Sequence, residues 1–326
     1  MEEAAGRSRG AVRVLFWGTA TFALPSLRSL ADAGHEIVGV VTQPDRRAGR
    51  GRRPRPTPVK EAALAAEYPV FTPERPGRPA FLARMRGLRP DLSVVAAYGH
   101  FLSREALDLP ALGSINVHAS LLPELRGAAP VHWAIARGHP VTGVTIMRMV
   151  KAMDAGPILR QDRTDILSDE TAGELYERLA RIGAGGLVRV LEMMDAGALE
   201  EHDQDHARAT FAPRLSRRGA RLRWARPAEE VARWMRAMDP APGAWSELGG
   251  SPVKLFRPRV VEGDALQGGE RPEPGTVIGA DPGNGLRVAT GEGSVEVGEV
   301  QPAGRRRMPA RDWLRGRAGR VGQRLR

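Results

Sequence analysis

The sequence predicts an α/β protein in two parts, a mostly parallel sheet wrapped by helices followed by a smaller β-barrel. Two observations predict the parts. Up to about residue 200, short apolar runs alternate with longer helical patterns, as in strands joined by crossover helices. Beyond about 208 the pattern becomes short strands separated by Gly/Pro turns, which suits a small barrel. A third, the length of 326 residues, exceeds the ~100–200 residues of one domain.

The strands of the first part are VRVLFW (12 to 17), EIVGVVT (36 to 42), DLSVVAA (91 to 97), SINVH (114 to 118) and GVTIMRM (143 to 149), β-branched or continuously apolar as buried strands are. TFALPSLRSLADAG, PVKEAALAAEY and AAPVHWAIARG have helical spacing and read as crossover helices. A longer helix is expected over 171 to 196, opened by a Thr171/Glu174 capping box and carrying a stripe of Leu175, Leu179, Ile182, Val190 and Met194. The polar, aperiodic segment EEHDQDHARATFAP places a boundary near 208. The expected division is therefore a tail at 1–10, a catalytic domain at 11–207 and a basic domain at 208–326. In the last, a helix at about 228 to 238 precedes the strands SPVKLFRPRV, PGTVIGA, GLRVAT and GSVEVGEVQ.

Apolar residues make up 42% and charged residues 27%, an ordinary globular composition. The absence of cysteine excludes disulfides, thiolate metal sites and a thiol nucleophile. The opening MEEAAGRSRG lacks the apolar core of a secretory signal, and no stretch approaches the ~20 apolar residues of a membrane helix. A cytoplasmic enzyme with no membrane partner is expected. The net charge of +11 is unevenly spread: residues 1 to 210 hold 27 basic and 25 acidic side chains, residues 211 to 326 hold 22 and 13. A field of that sign recruits polyanions. Of the 49 basic residues 46 are arginine, a skew that genomic base composition alone can also produce. The loop QPDRRAGRGRRPRPTP at 43 to 58 holds six arginines and four prolines. It is expected to be an irregular, exposed basic loop, far longer than the 2–6 residues usual between a strand and its crossover helix.

In GSINVHASLLPELRGAAP, Asn116 and His118 stand two apart on a strand, so their side chains leave the same face. Asp154, in the turn after GVTIMRM, is expected in the same crevice at the carboxyl ends of the strands. Singly, each has a structural explanation: a core histidine, an asparagine tying a turn, an ordinary Asp-Ala-Gly turn. Together they offer a hydrogen-bond donor, an acid/base and an orienting carboxylate.

The segments VLFWGTATFALPSL, TQPDRRAGRG, INVHASLLPELRGAAP and TGVTIM resemble the methionyl-tRNA formyltransferase family, formyltetrahydrofolate-dependent enzymes, across almost the whole chain. The resemblance implies a Rossmann-like catalytic domain, an OB-like C-terminal barrel, 10-formyltetrahydrofolate as donor and initiator methionyl-tRNA as acceptor. It implies catalytic roles for Asn116, His118 and Asp154, with no metal, in a monomer. Ser120, Leu121, Leu122 and Pro123 match the segment bordering the folate, where backbone groups would hold the ring. Ala97, Tyr98 and Gly99 would line the pterin pocket. Arg46, Arg47, Arg50, Arg52 and Arg53 would contact tRNA, with Arg50 near its acceptor end. Gly18 and Thr19 either approach the acceptor or form a tight β-to-α turn.

Two departures from the family stand out, Gly18-Thr19-Ala20-Thr21 for Gly-Thr-Pro-Asp and Asp154-Ala155-Gly156 for Asp-Thr-Gly. Neither removes a proposed catalytic atom. MVKAMDAG is also similar to formyltransferases that act on an amino-sugar nucleotide, which is the nearest alternative. A non-catalytic RNA-binding protein is the alternative of another class. A nicotinamide dehydrogenase is disfavoured, because the first turn reads GTATFA in place of GxGxxG.

Overall fold

A computed structural model describes residues 11–48, 53–261, 272–281, 285–316 and 319–326. Two units emerge from the packing: the first holds the chain up to Pro130, then Val141–Asp165 and Tyr176–Ala212; the second holds Val131–Pro140, Ile166–Leu175 and Pro213–Arg326. In chain order the elements up to residue 195 are β1 (Arg13–Gly18), α1 (Ala23–Asp32), β2 (Glu36–Val41), β3 (Arg46–Ala48), β4 (Arg53–Arg55), α2 (Pro58–Ala65), β5 (Val70–Phe71), α3 (Pro79–Gly87), β6 (Leu92–Ala96), α4 (Arg104–Leu107), β7 (Ser114–His118), α5 (Pro130–Ala136), β8 (Val141–Arg148), β9 (Ile158–Asp165) and α6 (Ala172–Asp195).

The first unit is built on a seven-stranded sheet in the order β5-β2-β1-β6-β7-β8-β9. Pairings from β5 to β7 are parallel, while β8 is antiparallel to both β7 and β9. The strand order reverses between β1 and β6, which opens a crevice at their carboxyl ends. Parallel neighbours covered on both faces explain the unbroken apolar runs: Val14, Leu15, Phe16 and Trp17 of β1 are all fully buried. On one face, Leu15, Trp17 and Val95 pack with Met85 of α3. On the other, α6 approaches closely at Gly183, where a Cβ would lie 2.7 Å from Cγ1 of Val117. Through the register Trp17–Val95–Asn116–Met147, Asn116 belongs to the α3 side.

Three expectations are corrected. The helix in AAPVHWAIARG leads to an antiparallel strand, so it is not a parallel crossover, and β9 adds an edge strand outside the five read from the sequence. The basic loop is not wholly irregular: β3 and β4 form a hairpin pairing Arg46 with Arg55 and Ala48 with Arg53. Pro54 is accommodated because this two-stranded ribbon leaves its outer side unpaired. Finally, the α6 stripe is displaced. Leu175, Leu179 and Val190 are buried, but Leu187 and Leu191 complete the seam, whereas Ile182 and Met194 are only half-buried.

The second unit carries α7 (Ala228–Ala237), β10 (Trp245–Leu248), β11 (Ser251–Val261), β12 (Val277–Asp281), β13 (Gly285–Ala289), β14 (Ser294–Pro302), β15 (Met308–Pro309) and α8 (Ala310–Arg315). Its antiparallel sheet runs β10-β11-β14-β13-β12, with β15 on β14. The last residues bridge the two edges: Leu325 pairs with Leu248 beside β10, and Arg324 with Thr276 beside β12. Closure of this kind leaves fewer open edges. No helix among the described residues is long and apolar enough to cross a membrane.

The capping box at the start of α6 is formed. The Thr171 hydroxyl donates to Glu174 Oε2 at 2.7 Å, the Thr171 N–H donates to the same oxygen at 2.9 Å, and the Glu174 N–H reaches Thr171 Oγ1 at 3.3 Å. The Thr171 hydroxyl above all, then its N–H and the Arg257 guanidinium, hold the Glu174 carboxyl down to about 2 against a partial burial that raises it. The folded value lies below the unfolded ~4.3, so this stabilisation is complete above that value and disappears as pH falls toward the folded one. Melting temperatures of the protein and of Glu174→Gln should therefore differ at pH 7 and converge between pH ~4.5 and ~2. Thr171→Ala should cost ~0.5–2 kcal/mol at neutral pH, read by denaturant unfolding.

Candidate active site

β7 delivers both polar side chains to one face of the sheet. His118 is buried, 6% exposed, and its Nε2–H donates to the Leu125 carbonyl at 3.1 Å. Leu125 is held in turn, its N–H donating to Thr210 Oγ1 at 2.9 Å. With Nε2 so engaged, Nδ1 is the ring nitrogen free to take a proton. Asn116 is half-buried, and its amide has no hydrogen-bond partner among the described residues. It is thus a free donor beside a held imidazole.

Asp154 reaches this centre by a route the sequence did not suggest. Because β8 is antiparallel, it ends beside the start of β7, where the Met149 N–H donates to the Ser114 carbonyl at 2.8 Å. The segment after it turns back along the sheet toward His118. Gly156 permits the turn: a Cβ there would stand 2.0 Å from the Arg148 carbonyl oxygen. Asp154 has a left-handed φ of 49°, which aspartate tolerates better than most residues. Its Oδ2 accepts the Gly127 N–H at 2.8 Å and stands 3.7 Å from His118 Nδ1. That separation exceeds a hydrogen bond, so the Leu125 carbonyl holds the ring and Asp154 acts on it by charge.

The segment expected to border the folate is largely self-satisfied. The Ser120 hydroxyl donates to the Glu124 carbonyl at 2.6 Å, and the Ser120 carbonyl accepts Thr145 Oγ1 at 2.6 Å. Leu122 gives its N–H to Thr145 Oγ1 and its carbonyl accepts Gln161 Nε2, at 3.1 and 2.8 Å. The Leu121 carbonyl accepts the Glu124 N–H at 3.1 Å, and the Pro123 carbonyl the Thr210 N–H at 3.4 Å. These bonds shape the segment and fix the course of its backbone after β7. After β6, Ala97 and Gly99 are exposed with φ of 43° and 80°. The Tyr98 side chain lies in the core, edge-on to Trp17 at 5.4 Å.

The Thr19 hydroxyl and Gln43 Nε2 both donate to the Tyr98 carbonyl, at 2.9 and 2.8 Å, while a Cβ on Gly18 would lie 2.8 Å from that of Ala23. These residues make the tight β-to-α turn and fasten three strand ends together. Arg46 Nη2 donates to Gln43 Oε1 at 2.7 Å. Arg47 and Arg53 lie in the hairpin, while Arg50 and Arg52 fall outside the described residues.

Three residues near the site were not anticipated. Arg126, Gln204 and Thr210 come from an RGAAP segment noted only as a motif and from a polar stretch read as a boundary. That stretch belongs to the first unit as far as Ala212. Its aperiodicity, in a region rich in hydrogen-bonding side chains, was the available signal. Among the described residues no cluster of three His, Cys, Asp or Glu suited to a metal occurs.

The profile of the "Formyl transferase" family matches residues 11–191, and that of "Formyl transferase, C-terminal domain" matches 214–318. A protein named methionyl-tRNA formyltransferase from Roseiflexus castenholzii is 47% identical, covering 96% of this chain and 99% of its own length. One of the same name from Symbiobacterium thermophilum is 45% identical over 96% of this chain and 95% of its own. Among solved structures, HypX from Aquifex aeolicus in complex with tetrahydrofolic acid aligns with a TM-score of 0.65 at 18% identity over 94% of this chain. The chain spans about half of HypX, 47%. An N-formyltransferase from Helicobacter canadensis, in complex with folinic acid and dTDP-3-aminofucose, aligns with a TM-score of 0.63 at 14% identity, over 89% of this chain and 99% of that one.

The geometry makes Gly127 a sensitive point. Its φ is +117°, and a Cβ would meet the Ala212 carbonyl oxygen at 2.9 Å, so Gly127→Ala must move the N–H that grips Asp154. Displacement of a reacting group by about 1 Å can cost ~10²-fold. The variant should lose at least ~10-fold in turnover and melt at lower temperature; parental turnover would show that the Gly127–Asp154 bond does not matter.

Proposed function

The chain belongs to the formyl transferase family, and on that premise we propose that it moves the formyl group of 10-formyltetrahydrofolate to the amino group of initiator methionyl-tRNA. The observation that carries the catalytic reading is an Asn116 amide, unpaired among the described residues and on the same face of β7 as a His118 ring held at Nε2, with the Asp154 carboxylate 3.7 Å from Nδ1. An α-amino group titrates near ~7.7–8.0, so enough of it is uncharged at neutral pH to attack the formyl carbon. Asn116 donates to the formyl oxygen as negative charge gathers on it in the tetrahedral species, a role whose loss typically costs ~10²–10³ in rate. His118 takes the proton released by the amine at Nδ1 and returns it to the departing folate nitrogen as the C–N bond breaks. The imidazolium formed in between faces Asp154, whose negative charge attracts it.

Ala97 and Gly99, exposed after β6, and the 120–123 segment after β7 are assigned to the borders of the folate site. Catalysis is assigned to the first unit and tRNA binding to the hairpin arginines together with the basic region beyond Ala212. Within the second unit a concavity of about 850 Å³ is lined by Arg217, Arg218, Arg221, Arg223, Trp245 and Glu247, with the Arg221 guanidinium 5.0 Å over the indole and 3.4 Å from the Glu247 carboxylate. Guanidinium groups suit phosphates and an indole face suits a base.

His118→Ala and Asn116→Ala should each lose ~10²-fold or more in transfer of labelled formyl while tRNA affinity changes little. Near-parental turnover in either removes that residue from the chemistry. Charged initiator tRNA, charged elongator tRNA and an amino-sugar nucleotide offered in parallel settle the acceptor, and formylation of the sugar alone would overturn the tRNA reading. Replacing Arg50, Arg52 and Arg53 together by alanine should weaken tRNA binding and reduce its log–log salt slope by ~0.7–0.9 per lost phosphate contact. Coincident salt curves would exclude the loop from the tRNA site.

A further inference from the structure

A buried side chain outside the catalytic set grips the Asp154 turn. Gln204 is 6% exposed. Its Nε2 donates to the carbonyl of Asp154 at 2.9 Å and to that of Gly156 at 2.7 Å. Its Oε1 accepts Nε and Nη2 of Arg126, at 3.2 and 2.6 Å. The amide orientation follows from its partners: a guanidinium only donates and a carbonyl only accepts, so the flipped amide would face like against like on both sides. Arg126, itself 6% exposed, also directs Nη2 to His206 Nδ1 at 2.9 Å.

Arg126 is followed by Gly127, whose N–H holds the Asp154 carboxylate at 2.8 Å. The contacts therefore close a ring: the Arg126 side chain to Gln204, Gln204 to the backbone of the Asp154 turn, the Asp154 carboxylate to Gly127, and Gly127 back to Arg126 along the chain. One amide thus fixes the left-handed turn, at φ 49°, to the peptide that receives its carboxylate. We propose that Gln204 is a positioning residue for formyl transfer, setting the Asp154 carboxylate against His118 through the backbone carbonyls of Asp154 and Gly156.

The proposal rests on the catalytic reading of Asp154, and a four-member cycle tests the two separately. The members are the protein, Gln204→Glu, Asp154→Asn and the double variant, measured in single turnover with labelled formyl donor, with KM for both substrates and melting temperature alongside. Gln204→Glu keeps the length and the oxygen facing Arg126 but removes both N–H donors to the turn. Gln204→Met, of similar length with neither function, is run in parallel, so either folded variant decides. The expected result is a ~10–100-fold fall in kcat, the scale of a displaced reacting group, with both KM values within ~3-fold. In the Asp154→Asn background the same substitution should cost less than ~3-fold, because coupled residues are not additive. A loss of equal factor in both backgrounds, or kcat within ~3-fold of the parent, overturns the positioning role while leaving Asp154 catalytic. Parental turnover by Asp154→Asn overturns the catalytic reading, and the proposal with it.

Discussion

The hydrogen bond from the Gly127 N–H to the Asp154 carboxylate, 2.8 Å long, joins two segments that leave the sheet at opposite ends. One follows β7 past its carboxyl end. The other follows β8, which runs the opposite way and stops beside Ser114. No sheet register brings these together, so the approach of Asp154 to His118 depends on contacts among loops. That explains why the loops are so fully hydrogen-bonded. Leu125 is tied to Thr210, Leu122 to Thr145 and Gln161, and the Asp154 turn to Gln204. Buried polar groups are generally paired in any case, and here the pairing also fixes the distance between the carboxylate and the imidazole. A separation of 3.7 Å leaves the interaction electrostatic, so its strength depends on solvent exclusion as much as on direction.

Features governed by local rules were legible in the sequence. Two-residue alternation put Asn116 and His118 on one face, and the pairing Val95–Asn116–Met147 bears that geometry out. The capping box at Thr171 needed only a four-residue spacing. What the pattern could not show was direction. A buried antiparallel strand between two neighbours is as continuously apolar as a parallel one, so β8 read as another parallel strand and Asp154 was placed in the crevice by an incorrect route. β9, ILRQDRTD, has only Leu159 buried and from Arg160 onward alternates half-buried and exposed residues, as an edge strand does, and its charged half concealed it.

The same limit applied to side chains whose sequence neighbours suggested a site. Tyr98 follows the switch-point strand, and its ring packs against Trp17 and Val95 in the core. The backbone of residue 98 carries the local role instead, its carbonyl accepting from Thr19 and Gln43. The first unit ends within the stretch from 200 to 213, at Ala212, and that stretch has no apolar period. It lacks one because it contributes hydrogen bonds, from Gln204, His206 and Thr210, rather than apolar area.

Gln43 and Gln204 show one chemical solution used twice. Each is buried, each takes an arginine on its carbonyl oxygen, Arg46 in one case and Arg126 in the other, and each gives its amide hydrogens to main-chain carbonyls at a strand-end loop. A carboxylate in that place would accept from the arginine but could not donate to the carbonyls, and a lysine would do the reverse. Only a group with both functions can link a guanidinium to a carbonyl. Its neutrality matters as well. An ionised link beside the turn would add a second charge near His118, competing with Asp154, and a buried charge carries its own desolvation cost. The amide sets the position of the carboxylate while contributing no net charge of its own, so the attraction between Asp154 and the imidazolium is left undiluted.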